Sequence, residues 1–425
     1  MFHRMPYDGA WDFSKEDVKQ FTHCMHRYPA MMIPQIPRKI ISRYGKKGGI
    51  LFDPYLGTGT SLVEGYIHGM RLTGTDLNPL ARLITKSKIV NYDVENLGKI
   101  VEIYKQRLLK RLNDLPKFTE LRLPKNQDER RMKKKLRSWF PLKTLREVLV
   151  SIDEIKLLET TEEESSFLKL AISESLRKVS YQREGEFKQY RIPKGERKSF
   201  RNPLYPELNK ILTRNLEGVK TLHKSHSNDF QPKIGCFNTS LTIDENVVQI
   251  GTVQLVMTSP PYGDSGTTVA YGQFSNLSNI LLELIDKDSN LDRDLMGGGK
   301  KEIKKFGFEL IDSEIANIEK IDTIRAKEVM AFYSDYLKSI QNVAKLVQPG
   351  GYVCYVLGNR TVKSQQLSTD KFTAWAFESN GFKHEHTYIR KFPSKRMPYS
   401  VSPSNIAGQK SKTMSEEFIV IMKKL

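Results

Sequence analysis

Gly49-Ile50-Leu51-Phe52-Asp53-Pro54-Tyr55-Leu56-Gly57-Thr58-Gly59-Thr60-Ser61 reads as a strand, a glycine-bearing turn and the start of a helix. Leu62, Val63, Tyr66 and Ile67 continue the helical pattern. Glycines let a ligand approach the backbone closely, and a helix start presents free N–H groups. About twenty residues on, Leu72-Thr73-Gly74-Thr75 reads as a second strand ending in Asp76, an acid placed to grip ribose hydroxyls in a doubly wound fold. The glycines also suit a plain strand–helix turn. Asp76 at this spacing favours a nucleoside site.

The residues narrow the nucleoside. A dinucleotide fingerprint needs a third glycine, where the chain has Leu62, and a P-loop needs a lysine after its last glycine, where none follows Gly59. Asp53, at the first strand's end, would repel a pyrophosphate and suits a cationic amino-acid end. S-adenosylmethionine combines such an end with a ribose and carries no phosphate.

A second stretch lies two hundred residues on. The apolar run Val253 to Met257 reads as a buried strand closed by Thr258-Ser259-Pro260-Pro261-Tyr262. Proline fixes φ and has no N–H, and it keeps the preceding residue out of the helical region. Two in succession make a stiff, extended turn with free carbonyls, and Tyr262 adds a stacking face. Such a turn suits a flat, amine-bearing ring, although Pro-Pro also punctuates ordinary loops.

Together the two stretches resemble the amino-methylating DNA methyltransferases. Asp53-Pro54-Tyr55-Leu56-Gly57-Thr58-Gly59-Thr60 is similar to their cofactor motif, and Thr258-Ser259-Pro260-Pro261-Tyr262 to their catalytic motif. Thr22 to Ala30, followed by Ile33-Pro34-Gln35-Ile36-Pro37, resembles the segment that walls the cofactor pocket. The resemblance spans about residues 20–90, 235–280 and 325–424. It implies a Rossmann-like α/β fold with a seven-stranded sheet and helices on both faces. It assigns S-adenosylmethionine to Tyr28, Pro29, Asp53, Pro54, Gly57, Gly59, Thr60, Ser61, Asp76, Asn78, Asn238 and Thr258. Catalysis falls to Ser259, Pro260, Pro261 and Tyr262, without a metal. Family members often carry an acid where Asn238 stands, whose side-chain oxygen would have to receive the adenine amine instead. The Ser-Pro-Pro-Tyr form is typical of enzymes acting on the N4 amine of cytosine. Asp-Pro-Pro-Tyr is commoner for adenine N6, and Asn-Pro-Pro-Tyr occurs in adenine, RNA and protein-glutamine methyltransferases. Protection of host DNA against a partner restriction endonuclease is a further implication.

Composition points the same way. The 425-residue chain has a net charge of +19 and a pI near 9.5, which suits a polyanionic partner, and the resemblance implies that this is double-stranded DNA. Residues 99–233 hold 32 Lys and Arg against 19 Asp and Glu, so most of the excess lies there. Clusters such as Arg130-Arg131 with Lys133-Lys134-Lys135, and Arg197-Lys198 with Arg201, interleave with Trp139, Phe140, Tyr181, Phe187, Tyr190 and Phe200. This yields three parts: a cofactor-binding half at 1–95, a basic, mainly helical insertion for target recognition at 96–232, and a catalytic half at 233–425. The basic loop from Lys391 to Lys412 is a second candidate for DNA contact, and Gly263 to Thr268 reads as a flexible loop for closing over an extruded base. No apolar run is long enough to span a membrane, and the first residues lack a signal peptide's apolar core. Three scattered cysteines give neither a disulfide framework nor metal-ligand spacing, so a cytoplasmic location is expected. Cys24, Cys236 and Cys354 follow His, Gly and Val; none has the Pro-Cys context of a thiolate that attacks cytosine's ring carbon.

Overall fold

The structure, a computed structural model, describes residues 4–115, 129–185, 188–263, 270–285, 291–297, 301–391, 400–401, 411–412 and 414–425. The Asp264–Thr268 loop, most of the basic 391–412 loop and Phe187 lie outside the described residues.

Seven strands form the central sheet: β1 (Ile50–Asp53), β2 (Arg71–Thr75), β3 (Lys233–Gly235), β4 (Val253–Thr258), β5 (Val347–Leu357), β6 (Phe382–Lys391) and β7 (Glu416–Lys424). Their order is β3-β2-β1-β4-β5-β7-β6. Strands β1 to β5 pair in parallel, while β7 runs antiparallel to both its neighbours. This is the α/β sheet expected, and the antiparallel pair β6 and β7 closes it at one edge. The chain winds outward from β1 through β2 to β3, then returns to β1's other side with β4. The switch point therefore falls between β1 and β4, where such sheets bind ligands at their carboxyl ends.

Alternation along the strands builds two cores. Phe52, Val256, Val353, Tyr355, Val420 and Met422 face one side, against α12 (Glu309–Ile321), α13 (Thr323–Leu346) and α14 (Thr369–Glu378). Leu51, Leu255, Met257, Cys354, Val356, Ile419 and Ile421 face the other, against α1 (Gln35–Tyr44) and α2 (Thr60–Ile67). Successive strand residues point to opposite faces, so apolar runs without polar interruption mark strands covered on both sides.

Between β2 and β3 the chain is helical: α3 (Pro79–Ile89), α4 (Val94–Asn113), α5 (Glu129–Trp139), α6 (Leu142–Lys156), α7 (Glu162–Val179), the single turn α8 (Lys194–Arg197) and α9 (Leu204–Ser225). Helix α4 buries Leu97, Val101, Tyr104 and Leu108 on one stripe. A capping box of Thr161 and Glu164 starts α7. All but α8 share one apolar core with Met25, Tyr28 and α10 (Tyr271–Leu281). The insertion is thus seated on the helices that follow the two pocket strands. Basic α5 joins that junction through Lys135, whose Nζ donates to Asn276 Oδ1 on α10 at 3.5 Å. Two of the interleaved aromatic rings are covered by arginines, Trp139 by Arg191 and Tyr181 by Arg197.

Candidate active site

Asp53 ends β1 beneath the turn. Its Oδ1 accepts from the Tyr55 N–H at 3.0 Å and from Thr258 Oγ1 at 2.5 Å, while its Oδ2 accepts from Ser61 Oγ. One buried carboxylate thereby joins the ends of β1 and β4 to the first turn of α2. Burial pushes its pKa up, and the two hydroxyl donors oppose that shift. Gly59 supplies the left-handed residue before α2, with φ +70°. A Cβ there would lie 2.6 Å from Thr85 Cγ2 on α3, so both conformation and packing require glycine.

Asp76 leaves β2 into the same crevice. Its Oδ2 accepts from the Gly57 N–H at 2.9 Å and its Oδ1 from the Asn78 N–H at 2.8 Å. Burial raises its pKa to about 6. Asn78 caps α3 through Leu80 N, and its Nδ2 donates to Tyr28 Oη at 2.8 Å and Ser275 Oγ at 3.0 Å. Tyr28 stacks on Tyr271, with centroids 5.7 Å apart. The N-terminal segment carrying Tyr28 is anchored by buried Glu64 on α2, which pairs with His23 and Arg38, each at 2.9 Å.

Twelve of the sixteen residues chosen from the sequence line one pocket: Tyr28, Pro29, Asp53, Pro54, Gly57, Thr60, Ser61, Asp76, Asn78, Asn238, Ser259 and Pro261. The other four, Gly59, Thr258, Pro260 and Tyr262, stand outside its lining. Gly59 and Thr258 shape it from beneath, as just described. Asn238 faces the pocket, but its Oδ1 is engaged by Ser240 N at 2.9 Å and Ser240 Oγ at 2.8 Å. Its oxygen thus already serves its own turn. His26, within the Thr22–Ala30 segment, ties that segment to α7 through Ser173 Oγ at 2.9 Å. Sequence reading missed Leu77, Phe237, Thr239, Tyr271 and Met296 on the lining. Leu77 and Phe237 adjoin chosen polar residues, so the apolar neighbours of each were the available signal.

The lining contains two carboxylates and no Lys or Arg among the described residues. Such a site repels phosphate and favours a cationic ligand. Phe237, Leu77 and Tyr271 supply apolar surface for a flat ring.

Beside the pocket, Tyr262 Oη donates to Glu417 Oε1 at 2.8 Å and lies 3.4 Å from Ser259 Oγ. Burial and the Glu417 charge hold its phenol well above the usual range. Glu417 pairs with Arg390, its cross-strand partner on β6.

Fold and pocket together define a doubly wound α/β protein whose acidic pocket has Ser259 and Pro261 of the Ser-Pro-Pro-Tyr turn on its wall. No protein-family model matches the chain. It is 33% identical to the Type II methyltransferase M.MvaI of Kocuria varians, over 97% of this chain and 93% of that protein. That alignment includes the 95–233 stretch left unmatched by the motifs. Type II methyltransferase M.MjaII of Methanocaldococcus jannaschii is 31% identical over 28% of this chain and 21% of its own length. Among solved structures, an rRNA methyltransferase, AviRa, from Streptomyces viridochromogenes aligns with 94% of this chain and 88% of its own, at 10% identity and a TM-score of 0.33. On the full-length relative, the chain belongs to the Type II DNA methyltransferase family. Among the described residues no helix is long and apolar enough to cross a membrane, and no His, Cys, Asp and Glu group is placed to hold a metal.

Proposed function

We propose that this chain methylates the exocyclic N4 amine of cytosine in double-stranded DNA, using S-adenosylmethionine, as the modification enzyme beside a cognate restriction endonuclease. The observation that carries the reading is one shared pocket wall. Ser259 and Pro261 line the same crevice as Asp53 and Asp76, so an amine held by the turn meets whatever those acids hold. Asp76 would hold the ribose, Asp53 and the Gly57–Ser61 turn the cationic methionine end, and Phe237 with Leu77 the adenine. Bound there, S-adenosylmethionine supplies a methyl group already activated by a sulfonium centre.

The chain's own residues have two further tasks. The target base must leave the duplex, which costs a few kcal/mol. The Tyr262 ring offers it a stacking face. The Ser259 hydroxyl and the Pro260 carbonyl accept hydrogen bonds from its NH₂ group. The amine's lone pair is delocalised into the ring; these acceptors favour a more tetrahedral nitrogen whose lone pair is aimed at the methyl. Positioning supplies most of the gain. Lys and Arg of the 96–232 insertion meet backbone phosphates, and polar side chains among them read base edges.

Mass spectrometry of nucleosides from DNA methylated by the purified protein tests the reading. N4-methylcytosine is the expected product. N6-methyladenine without N4-methylcytosine would overturn the choice of base, and methylated RNA or protein in place of DNA would overturn the substrate.

A further inference from the structure

Tyr262 reaches across three strands. It leaves the end of β4, passes the end of β5 and meets Glu417 at the start of β7. Gly358 lies along this path. A Cβ there would lie 3.1 Å from Tyr262 Cδ2 and 1.9 Å from Met414 Sδ. At the far end, Glu417 Oε2 accepts from Arg390 Nη1, and Arg390 Nε donates to the Trp11 carbonyl at 3.0 Å. The two side chains of this pair are only 12% and 7% exposed.

The order of partners fixes the direction of each hydrogen bond. Glu417 accepts from Arg390 Nη1 through one oxygen and from Tyr262 Oη through the other, and a carboxylate can only accept. The Tyr262 proton is therefore committed to Glu417, which leaves the phenol oxygen as an acceptor. Ser259 Oγ lies 3.4 Å from that oxygen, long for an O–H···O bond, as catalytic contacts often are before substrate binds. With its proton turned toward Tyr262, Ser259 presents lone pairs to the pocket. A serine whose proton pointed into the pocket would meet the N–H of an incoming amine with another hydrogen.

We propose that Glu417, held by Arg390, is a positioning residue: acting through the Tyr262 hydroxyl, it sets the Ser259 hydroxyl as an acceptor for the target amine. The inference rests on the reading above, in which Ser259 accepts from that amine. It gives Tyr262 a second task, separate from stacking.

Three variants of the full chain test it: Tyr262→Phe, Glu417→Gln and Ser259→Ala. Phenylalanine keeps the ring and removes the hydroxyl. Glutamine gives its carbonyl to Arg390 and turns its NH₂ toward Tyr262, which reverses the chain of donors. The single-turnover methylation rate on DNA bearing a mapped target site should fall about tenfold in Tyr262→Phe and further in Glu417→Gln. S-adenosylmethionine affinity, and the fluorescence of a 2-aminopurine placed at the target to report extrusion, should stay at wild-type values in both. Combined with Ser259→Ala, either change should cost little more, because all three act through one hydroxyl. A Tyr262→Phe variant with the wild-type rate would overturn the inference, as would costs that add fully to that of Ser259→Ala. Loss of activity in Ser259→Ala with full activity in the other two defeats this inference alone. Full activity in Ser259→Ala defeats the underlying reading as well.

Discussion

Replacing Asp76 by asparagine removes one charge and one acceptor from the pocket while keeping the side chain's size. Two backbone donors depend on Asp76, Gly57 N–H at 2.9 Å and Asn78 N–H at 2.8 Å. The amide oxygen can serve only one of them well. Burial raises the Asp76 pKa to about 6, and a rise of that size corresponds to about 3 kcal/mol against ionising it in the fold. The folded state therefore holds an extra proton between about pH 4 and 6. Stability from this group is complete below pH 4, declines as pH rises to about 6, and is level above. Buried His26, lowered to about 4, acts in the opposite sense, adding stability from about pH 4 to 6.5. Subtracting the Asp76→Asn curve from the wild-type curve isolates the aspartate. Urea unfolding across pH 4 to 7 should give a difference that falls by about 2–3 kcal/mol with rising pH. Calorimetric titration at pH 7.5 should show S-adenosylmethionine binding about 10–100-fold more weakly to the variant, since a hydrogen bond to a charged group is worth about 1.5–3 kcal/mol. Wild-type affinity should also drop below pH 6, and the variant's should not. Binding by Asp76→Asn within threefold of wild type, or the same pH dependence in both, would refute the role given to Asp76.

Gly59→Ala should destabilise the protein by about 2–4 kcal/mol, from a left-handed backbone and the Thr85 overlap, measured as a lower urea midpoint. Lys88 on α3 is 2% exposed and its pKa is lowered by burial to about 8. Lys88→Met should therefore be more stable at pH 7 by up to about 3 kcal/mol and should lack the wild-type gain in stability between about pH 8 and 10; a less stable variant would contradict this. Tyr262→Ala should lose methyl transfer while retaining S-adenosylmethionine binding, read by a filter assay and by titration. Asn78→Ala should lose about 1 kcal/mol for the helix cap, and more through Tyr28, with weakened S-adenosylmethionine binding; an unchanged dissociation constant would make its role purely structural.

Where a feature is local in the chain, the sequence displays it. Asp53, Gly57, Gly59 and Asp76 sit within one strand–turn–helix–strand unit, and their spacing alone places them around a pocket. The Pro-Pro turn is legible for the same reason. Asn238 lines the pocket, yet its oxygen is engaged by Ser240, a competition invisible without the turn's geometry. Glu417 had no signal at all. One acid at the start of a terminal strand looks like a solvated edge residue, and its partner Tyr262 is 155 positions away. The insertion shows a middle case. Its helical periodicity was readable, but its apolar stripes could not say that they cover α3 and α10.

The return of β4 to the flank of β1 has a consequence for synthesis on the ribosome. β1 has β2 within reach almost at once, but its other neighbour begins at Val253, about two hundred residues downstream. At roughly 5–20 residues per second, that neighbour arrives some 10–40 s later. Through that interval one edge of β1 waits with open hydrogen-bonding groups, while the helices from α4 to α9 are already made and can cover α3. The order of translation thus favours a nascent chain whose helical body matures first and whose sheet is zipped last, so that the pocket between Asp53 and Thr258 cannot exist before the 96–232 insertion has been made.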